Sequence, residues 1–176
     1  PCLLWFSFGL IAQQAKPPVA PPILRNLTAE QESQAERWLA GLSLRQKIAQ
    51  LLVISFYGYF PEIGSEEELR LRKLVEDDGV GGLIVLNRVF EGNVRRAHPY
   101  EMAAFLNRMQ SFAAVPLLVA GDFERGPSMR LDGMTLFPHA MAFGAANDPA
   151  LTRRFGEITA CESRALGVHW ILAPSA

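Results

Sequence analysis

The residues best placed to do chemistry are Asp122 and Glu124, two carboxylates two positions apart that follow directly on the apolar run Leu117-Leu118-Val119-Ala120-Gly121. Arg130 comes eight residues after Asp122, with Thr135 and the turn-like Phe137-Pro138-His139 shortly behind it. In barrel and doubly wound α/β proteins, the side chains that do chemistry sit at the carboxyl ends of strands. A carboxylate delivered there can accept hydrogen bonds from substrate hydroxyls. A plainer reading is a solvated acidic loop, since turns favour Asp and Gly for local reasons.

To hold Asp122 at a strand end, the surrounding chain must alternate strands with helices, and from Thr28 onward it does. Thr28 can cap a helix whose apolar face is Trp38, Leu39 and Leu42. Ser43 and Gln46 have capping-box spacing for a short helix through Ile48. Leu51 to Phe56 is a continuous apolar run, suited to a strand buried on both faces. Ser65 and Glu68 make a second box, for a helix that presents Leu69, Leu71, Leu74 and Val75 and stops at Gly79. Gly81 to Leu86 is the next strand, ending at Asn87-Arg88.

Pro99 opens a third helix, where Met102, Phe105, Leu106, Met109, Phe112 and Ala113 keep the 3.6-residue period. Val115 to Ala120 is the strand that leads to Asp122. Asp148-Pro149 starts a helix bearing Leu151, Phe155, Ile158 and Ala165, closed by Gly167, and His169 to Ala173 is a fourth strand. This rhythm implies right-handed βαβ crossovers and a parallel sheet. The expected fold class is α/β, with four βα units forming the first half of a (β/α)8 barrel, a fold that typically takes about 250 residues. A compact doubly wound sheet is the alternative.

Composition narrows the function classes. The 176 residues are 49% hydrophobic and 20% charged, with a net charge of −1, which describes a globular chain with material for a core. No basic patch dominates, so nucleic acid is not an expected partner. Two cysteines, Cys2 and Cys161, are too few for a disulfide framework, and no Cys/His group has zinc-ligand spacing. Neither a metal nor a cofactor is expected. Cys161, inside a helical pattern, reads as a small buried hydrophobe. Of the three histidines, His98 precedes a proline, His169 begins an apolar run, and only His139 lies near the candidate site.

The N-terminal run Leu3 to Ala12 is uncharged and far shorter than the roughly 20 residues of a membrane-spanning helix. It matches the apolar region of a secretory signal without its basic leader. Residues 1–15 are therefore expected to be a truncated signal peptide, residues 16–27 a proline-rich extended linker, and residues 28–176 the N-terminal part of the barrel domain. A secreted or periplasmic protein with no stable membrane span follows from this reading.

Taken together, these segments resemble the N-terminal domain of glycoside hydrolase family 3 from about Leu42 to Pro174. Leu44-Arg45-Gln46-Lys47-Ile48-Ala49-Gln50-Leu51-Leu52 is similar to the family's LxxKIxQLL segment, and Gly79-Val80-Gly81-Gly82-Leu83-Ile84-Val85 to its glycine-glycine strand. Asp122-Phe123-Glu124-Arg125-Gly126-Pro127-Ser128-Met129-Arg130 resembles the motif D-Q-E-G-G-R-V-x-R. Thr135, Phe137-Pro138, Ala140-Met141-Ala142, Gly144-Ala145 and Ala165-Leu166-Gly167-Val168-His169-Trp170 follow in the family's order. Phe123 departs from the usual glutamine, and Arg125 and Pro127 from a glycine and an arginine. The loop around Asp122 must therefore differ in shape and charge.

The resemblance implies a retaining, exo-acting β-glycosidase. Retention needs a nucleophile and an acid/base group flanking the scissile bond. The family supplies these as an aspartate on a late barrel strand and either a loop histidine (N-acetylglucosaminidases) or a glutamate from a following domain (glucosidases). Both fall beyond the equivalent of Ala176, so no catalytic residue is assigned in this chain. Asp122 matches the family aspartate that holds hydroxyls of the terminal sugar. Arg130 is a second substrate-binding candidate, although its expected role is to brace the loop through Glu124 or Asp132. The substrate implied is a β-linked oligosaccharide or cell-wall sugar, with β-N-acetylhexosaminidase ahead of β-glucosidase. A non-catalytic sugar-binding relic, and a barrel enzyme acting on phosphorylated metabolites, are the competing classes.

Overall fold

The computed structural model describes residues 27–57, 60–86, 89–91 and 93–174. The expected signal peptide, all of the expected linker but Leu27, and the strand-end pair Asn87-Arg88 lie outside the described residues. Two helices come first, α1 (Ala29–Gly41) and α2 (Leu44–Ala49), each opened by a complete capping box, Thr28 with Gln31 and Ser43 with Gln46. Reciprocal bonds between side chain and main chain satisfy two of the amide groups a helix start leaves unpaired. The expected apolar face of α1 does not enter the described core, since Trp38 and Leu39 are exposed and α1 buries no residue.

The central element is a four-stranded parallel sheet of β1 (Val53–Tyr57), β2 (Gly82–Leu86), β5 (Leu118–Gly121) and β6 (Trp170–Ile171), in that spatial order. Between β2 and β5 the chain forms a small antiparallel hairpin of β3 (Val89–Phe90) and β4 (Asn93–Val94), which the sequence reading did not anticipate. Helix α3 (Glu66–Glu76) joins β1 to β2, and α4 (Pro99–Phe112) leads into β5. A short α5 (Ala140–Ala146) and the long α6 (Pro149–Ala165) separate β5 from β6. Each strand pairs with its successor in the sheet, as the consecutive staves of a (β/α)8 barrel do.

Register decides which side chains face the helices. Ile54 pairs with Leu83 and Phe56 with Val85, while Leu83 pairs with Val119 and Val85 with Gly121. Phe56, Leu83, Val85 and Val119 are buried, and they join Leu71 and Val75 of α3 and Met102, Phe105, Leu106 and Met109 of α4 in one apolar cluster. The opposite face is more open, with Leu118 at 42% and Trp170 at 47% exposure. The paired glycines are needed for close approach. A Cβ on Gly81 would lie 1.9 Å from the Gln50 carbonyl oxygen, and one on Gly82 would lie 2.1 Å from that of Leu118.

Several expectations shift for local reasons. β1 starts at Val53, not Leu51, because the amides of Leu51 and Leu52 are used by the closing turn of α2. β5 starts at Leu118, not Val115. Pro116 has no N–H, and the Gln110 amide takes both main-chain groups of Leu117 at 2.9 Å. The Ser65 hydroxyl caps α3, but Glu68 does not close the box. Its carboxylate is buried against Gly64 N–H and Arg108 of α4, whose Nε lies 3.4 Å away. Leu69 is consequently on the exposed side. On α6 the buried residues are Thr159 and Ser163, whereas Leu151 and Ala165 face outward. Cys161 is exposed, not buried. Its helix turns small polar residues inward, which leaves the cysteine on the outer face.

Candidate functional site

Strand β5 carries the chain to Asp122 at its carboxyl end, as the apolar run requires. The Gly121 carbonyl accepts the Leu172 N–H at 2.9 Å, so the last residue of β5 is tied to the segment that continues β6. The chain then reverses. Gly126 sits at φ +75°, a conformation that favours glycine, and donates its N–H to the Phe123 carbonyl at 2.9 Å. A single 3-10 turn at Pro127–Met129 follows and returns the chain to Arg130. The main chain is then stitched to the approach to α4 through Ala97 N–H to Arg130 O (2.9 Å) and Asp132 N–H to Ala97 O (3.0 Å).

This reversal brings the two candidate residues together. Arg130 donates from Nη2 to the Asp122 carboxylate Oδ2 and from Nε to the Asp122 carbonyl oxygen at 3.2 Å. The Arg130 side chain is 10% exposed and that of Asp122 29% exposed, so the pair is sheltered while part of the carboxylate remains reachable. Arg130, expected to brace the loop through Glu124 or Asp132, holds Asp122. A guanidinium holding one carboxylate oxygen leaves the other lone pairs able to accept hydroxyl donors.

The remaining candidates are placed elsewhere. Thr135 is bound to α6, its hydroxyl donating to Glu162 at 2.6 Å. Phe137 packs edge-on against Phe155 of α6, with ring centroids 4.8 Å apart. His139 is exposed at the start of α5 and makes no side-chain cap bond. His169 serves the sheet, its Nδ1 accepting the Val119 N–H at 3.3 Å. Burial, with a smaller effect from the Arg164 charge, holds its pKa below the ordinary value.

Phe123, treated from sequence only as a departure from a motif, is fully buried in the helix-side core. The signal that could have revealed it is the two-residue period that puts it on the same side as Gly121 and Val119. Phe123 and Glu124 also line a cavity of about 600 Å³ beneath α5 and α6. Asp122 is not among its lining residues, so this cavity and the sheltered carboxylate are separate features. Among the described residues, no three His, Cys, Asp or Glu side chains converge as a metal site would require. No helix among them is long and apolar enough to cross a membrane.

A parallel βα sheet with a sheltered carboxylate at a strand's carboxyl end is the arrangement in which barrel enzymes place their functional side chains. Comparison with known proteins makes this specific. The glycosyl hydrolase family 3 N-terminal domain matches residues 43–176, and the chain belongs to that family. It is 29% identical over 136 residues to a β-N-acetylglucosaminidase/β-glucosidase of Cellulomonas fimi, an alignment covering 77% of this chain and 21% of that protein.

Among solved structures, the chain is similar to β-glucoside phosphorylase BglX bound to 2FGlc, with a TM-score of 0.67, 24% identity and coverage of 84% of this chain and 24% of that one. It is also similar to the exo-1,3/1,4-β-glucanase ExoP of a Pseudoalteromonas species, with a TM-score of 0.63, 28% identity and coverage of 86% and 18%. The first of these likenesses is one of fold alone. The chain spans about a fifth of the length of the curated relative and about a quarter or less of the solved ones. Its parallel sheet is the opening part of the family's barrel.

Proposed function

We propose that this chain is the front part of the barrel domain of a retaining, exo-acting β-glycosidase, and that Asp122 holds hydroxyls of the terminal sugar. The observation that carries the reading is the Asp122–Arg130 pair at the end of β5. A carboxylate anchored by a guanidinium is ordered before substrate arrives, so it loses little freedom on binding. Two hydroxyls donating to it make charge-assisted hydrogen bonds of about 1.5–3 kcal/mol each. Such bonds can hold the ring as it flattens toward an oxocarbenium-like transition state. Nucleophile and acid/base are assigned to positions outside these residues.

The substrate favoured is a β-linked N-acetylhexosaminide, with a β-glucoside as the second reading. Supporting both is the relative from Cellulomonas fimi, whose name carries both activities. Paired assays on aryl β-N-acetylglucosaminide and aryl β-glucoside with the complete protein separate them.

The central test is Asp122→Ala in that protein. Loss of both bonds is expected to lower kcat/KM by about two to four orders of magnitude, with much less effect on folding. Near-normal kcat/KM, or a variant that simply unfolds, would reassign Asp122 to a structural loop.

A further inference from the structure

We propose that Phe123 is a positioning residue for Asp122, acting by laying its ring over Gly121, so that the Gly121–Phe123 pair sets the direction of the carboxylate between them. This rests on the reading of Asp122 as the sugar-holding residue.

Gly121 is not among the glycines with positive φ, so its backbone conformation does not call for glycine. Space does. A Cβ at Gly121 would lie 2.6 Å from Phe123 Cε2 and 2.8 Å from both Cδ2 and Cζ, closer than real Cβ atoms come to anything. The ring is 0% exposed, belongs to the core cluster beneath the sheet and lines the cavity under α5 and α6, so a methyl at position 121 would displace it toward that cavity. Bulk missing at position 121 is therefore supplied from position 123.

The consequence falls on the residue between. In extended chain, residues two apart share a face and the middle one points the other way. Gly121, paired with Val85, belongs to the helix-facing side of the sheet, and Phe123 joins that side. Asp122 is thereby turned to the opposite side, where Arg130 takes its carboxylate. Both neighbours are anchored without help from Arg130, Gly121 O by Leu172 N–H and Phe123 O by Gly126 N–H, each at 2.9 Å. A side chain at 121 would lever the ring toward that cavity and rotate Asp122 away from its direction. A glutamine at 123 would bury an amide in an apolar cluster and lose this wedge.

The experiment uses the complete protein in four versions: unaltered, Gly121→Ala, Phe123→Leu, and both together. Each is assayed on the better aryl β-glycoside well below its melting temperature, alongside Asp122→Ala. Gly121→Ala is expected to lower kcat/KM about a hundredfold, mainly through KM, and Phe123→Leu about tenfold or less. The smaller side chain makes room for the new methyl, so the double variant should recover about tenfold over Gly121→Ala alone, as coupled neighbours do.

A double variant no better than the product of the singles overturns the inference. So does a loss confined to melting temperature with KM unchanged. If Gly121→Ala fails to fold, restoration of a folded, active protein by Phe123→Leu supports the inference, and its absence overturns it. Asp122→Ala with unaltered kcat/KM overturns the sugar reading and this inference with it. An impaired Asp122→Ala beside an additive Gly121/Phe123 cycle overturns this inference alone.

Discussion

Arg130 reaches two different atoms of Asp122, a carboxylate oxygen through Nη2 and the main-chain oxygen through Nε. Only a planar, forked cation can satisfy both at once, since a lysine ammonium is a single point on a flexible stem. Arg130→Lys is therefore expected to keep the charge and lose the fixed direction. It should cost about ten- to a hundredfold in kcat/KM of the complete protein, the equivalent of one such hydrogen bond. Unaltered kinetics in Arg130→Lys would show that the fork is not used. The position of Asp122 was legible in the sequence, because an apolar run ending in Gly-Asp is a local pattern. Its partner was not. Eight residues of separation become a hydrogen bond only through the positive φ of Gly126 and the 3-10 turn at Pro127–Met129, a reversal that no periodicity announces.

At the scale of elements, one of the bonds that join β5 to β6 is sensitive to protonation. The Val119 N–H donates to the unprotonated Nδ1 of His169, while the His169 N–H donates back to the Val119 carbonyl at 2.8 Å. Burial, and secondarily the Arg164 charge, lowers the His169 pKa from its ordinary 6.5. The neutral imidazole is thus favoured in the fold, and the unfolded chain binds more protons between the two pKa values. The resulting stabilisation is complete above about pH 6.5 and is lost as pH falls through the lower folded value. His169→Gln retains an acceptor that does not titrate. Urea midpoints measured from about pH 7.5 to about pH 5 should fall more steeply for the unaltered protein than for His169→Gln. Parallel curves would remove His169 from the pH response. The elements themselves were legible where the cause is local. The Thr28 cap and the Ser43 box form, and the α4 stripe from Met102 to Met109 is buried. They were read poorly where a distant partner intervenes. Gln110 takes the place of a strand neighbour for Leu117, and Arg108 pulls Glu68 out of its box.

For the whole molecule, the two faces of the sheet have unequal standing. One is sealed by α3 and α4, while the other leaves Leu118 and Trp170 nearly half exposed. Among the described residues, β1 and β6 each have one unpaired edge. By the two-residue alternation that follows Gly121, Asp122 is turned to the open side at the carboxyl end of its strand, the end where barrel active sites are built. Retaining hydrolysis needs a nucleophile and an acid/base group about 5–5.5 Å apart across the bond, and holding one sugar hydroxyl set supplies neither. Expressed by itself, the 176-residue chain is therefore expected to hydrolyse neither aryl β-N-acetylglucosaminides nor aryl β-glucosides above background. Its open edges should also make it self-associate as concentration rises, which sedimentation would detect. Hydrolysis by the purified chain that disappears on Asp122→Ala would overturn this division of labour. It would place a complete catalytic pair among these residues, beside the proposed grip of Asp122 on the sugar.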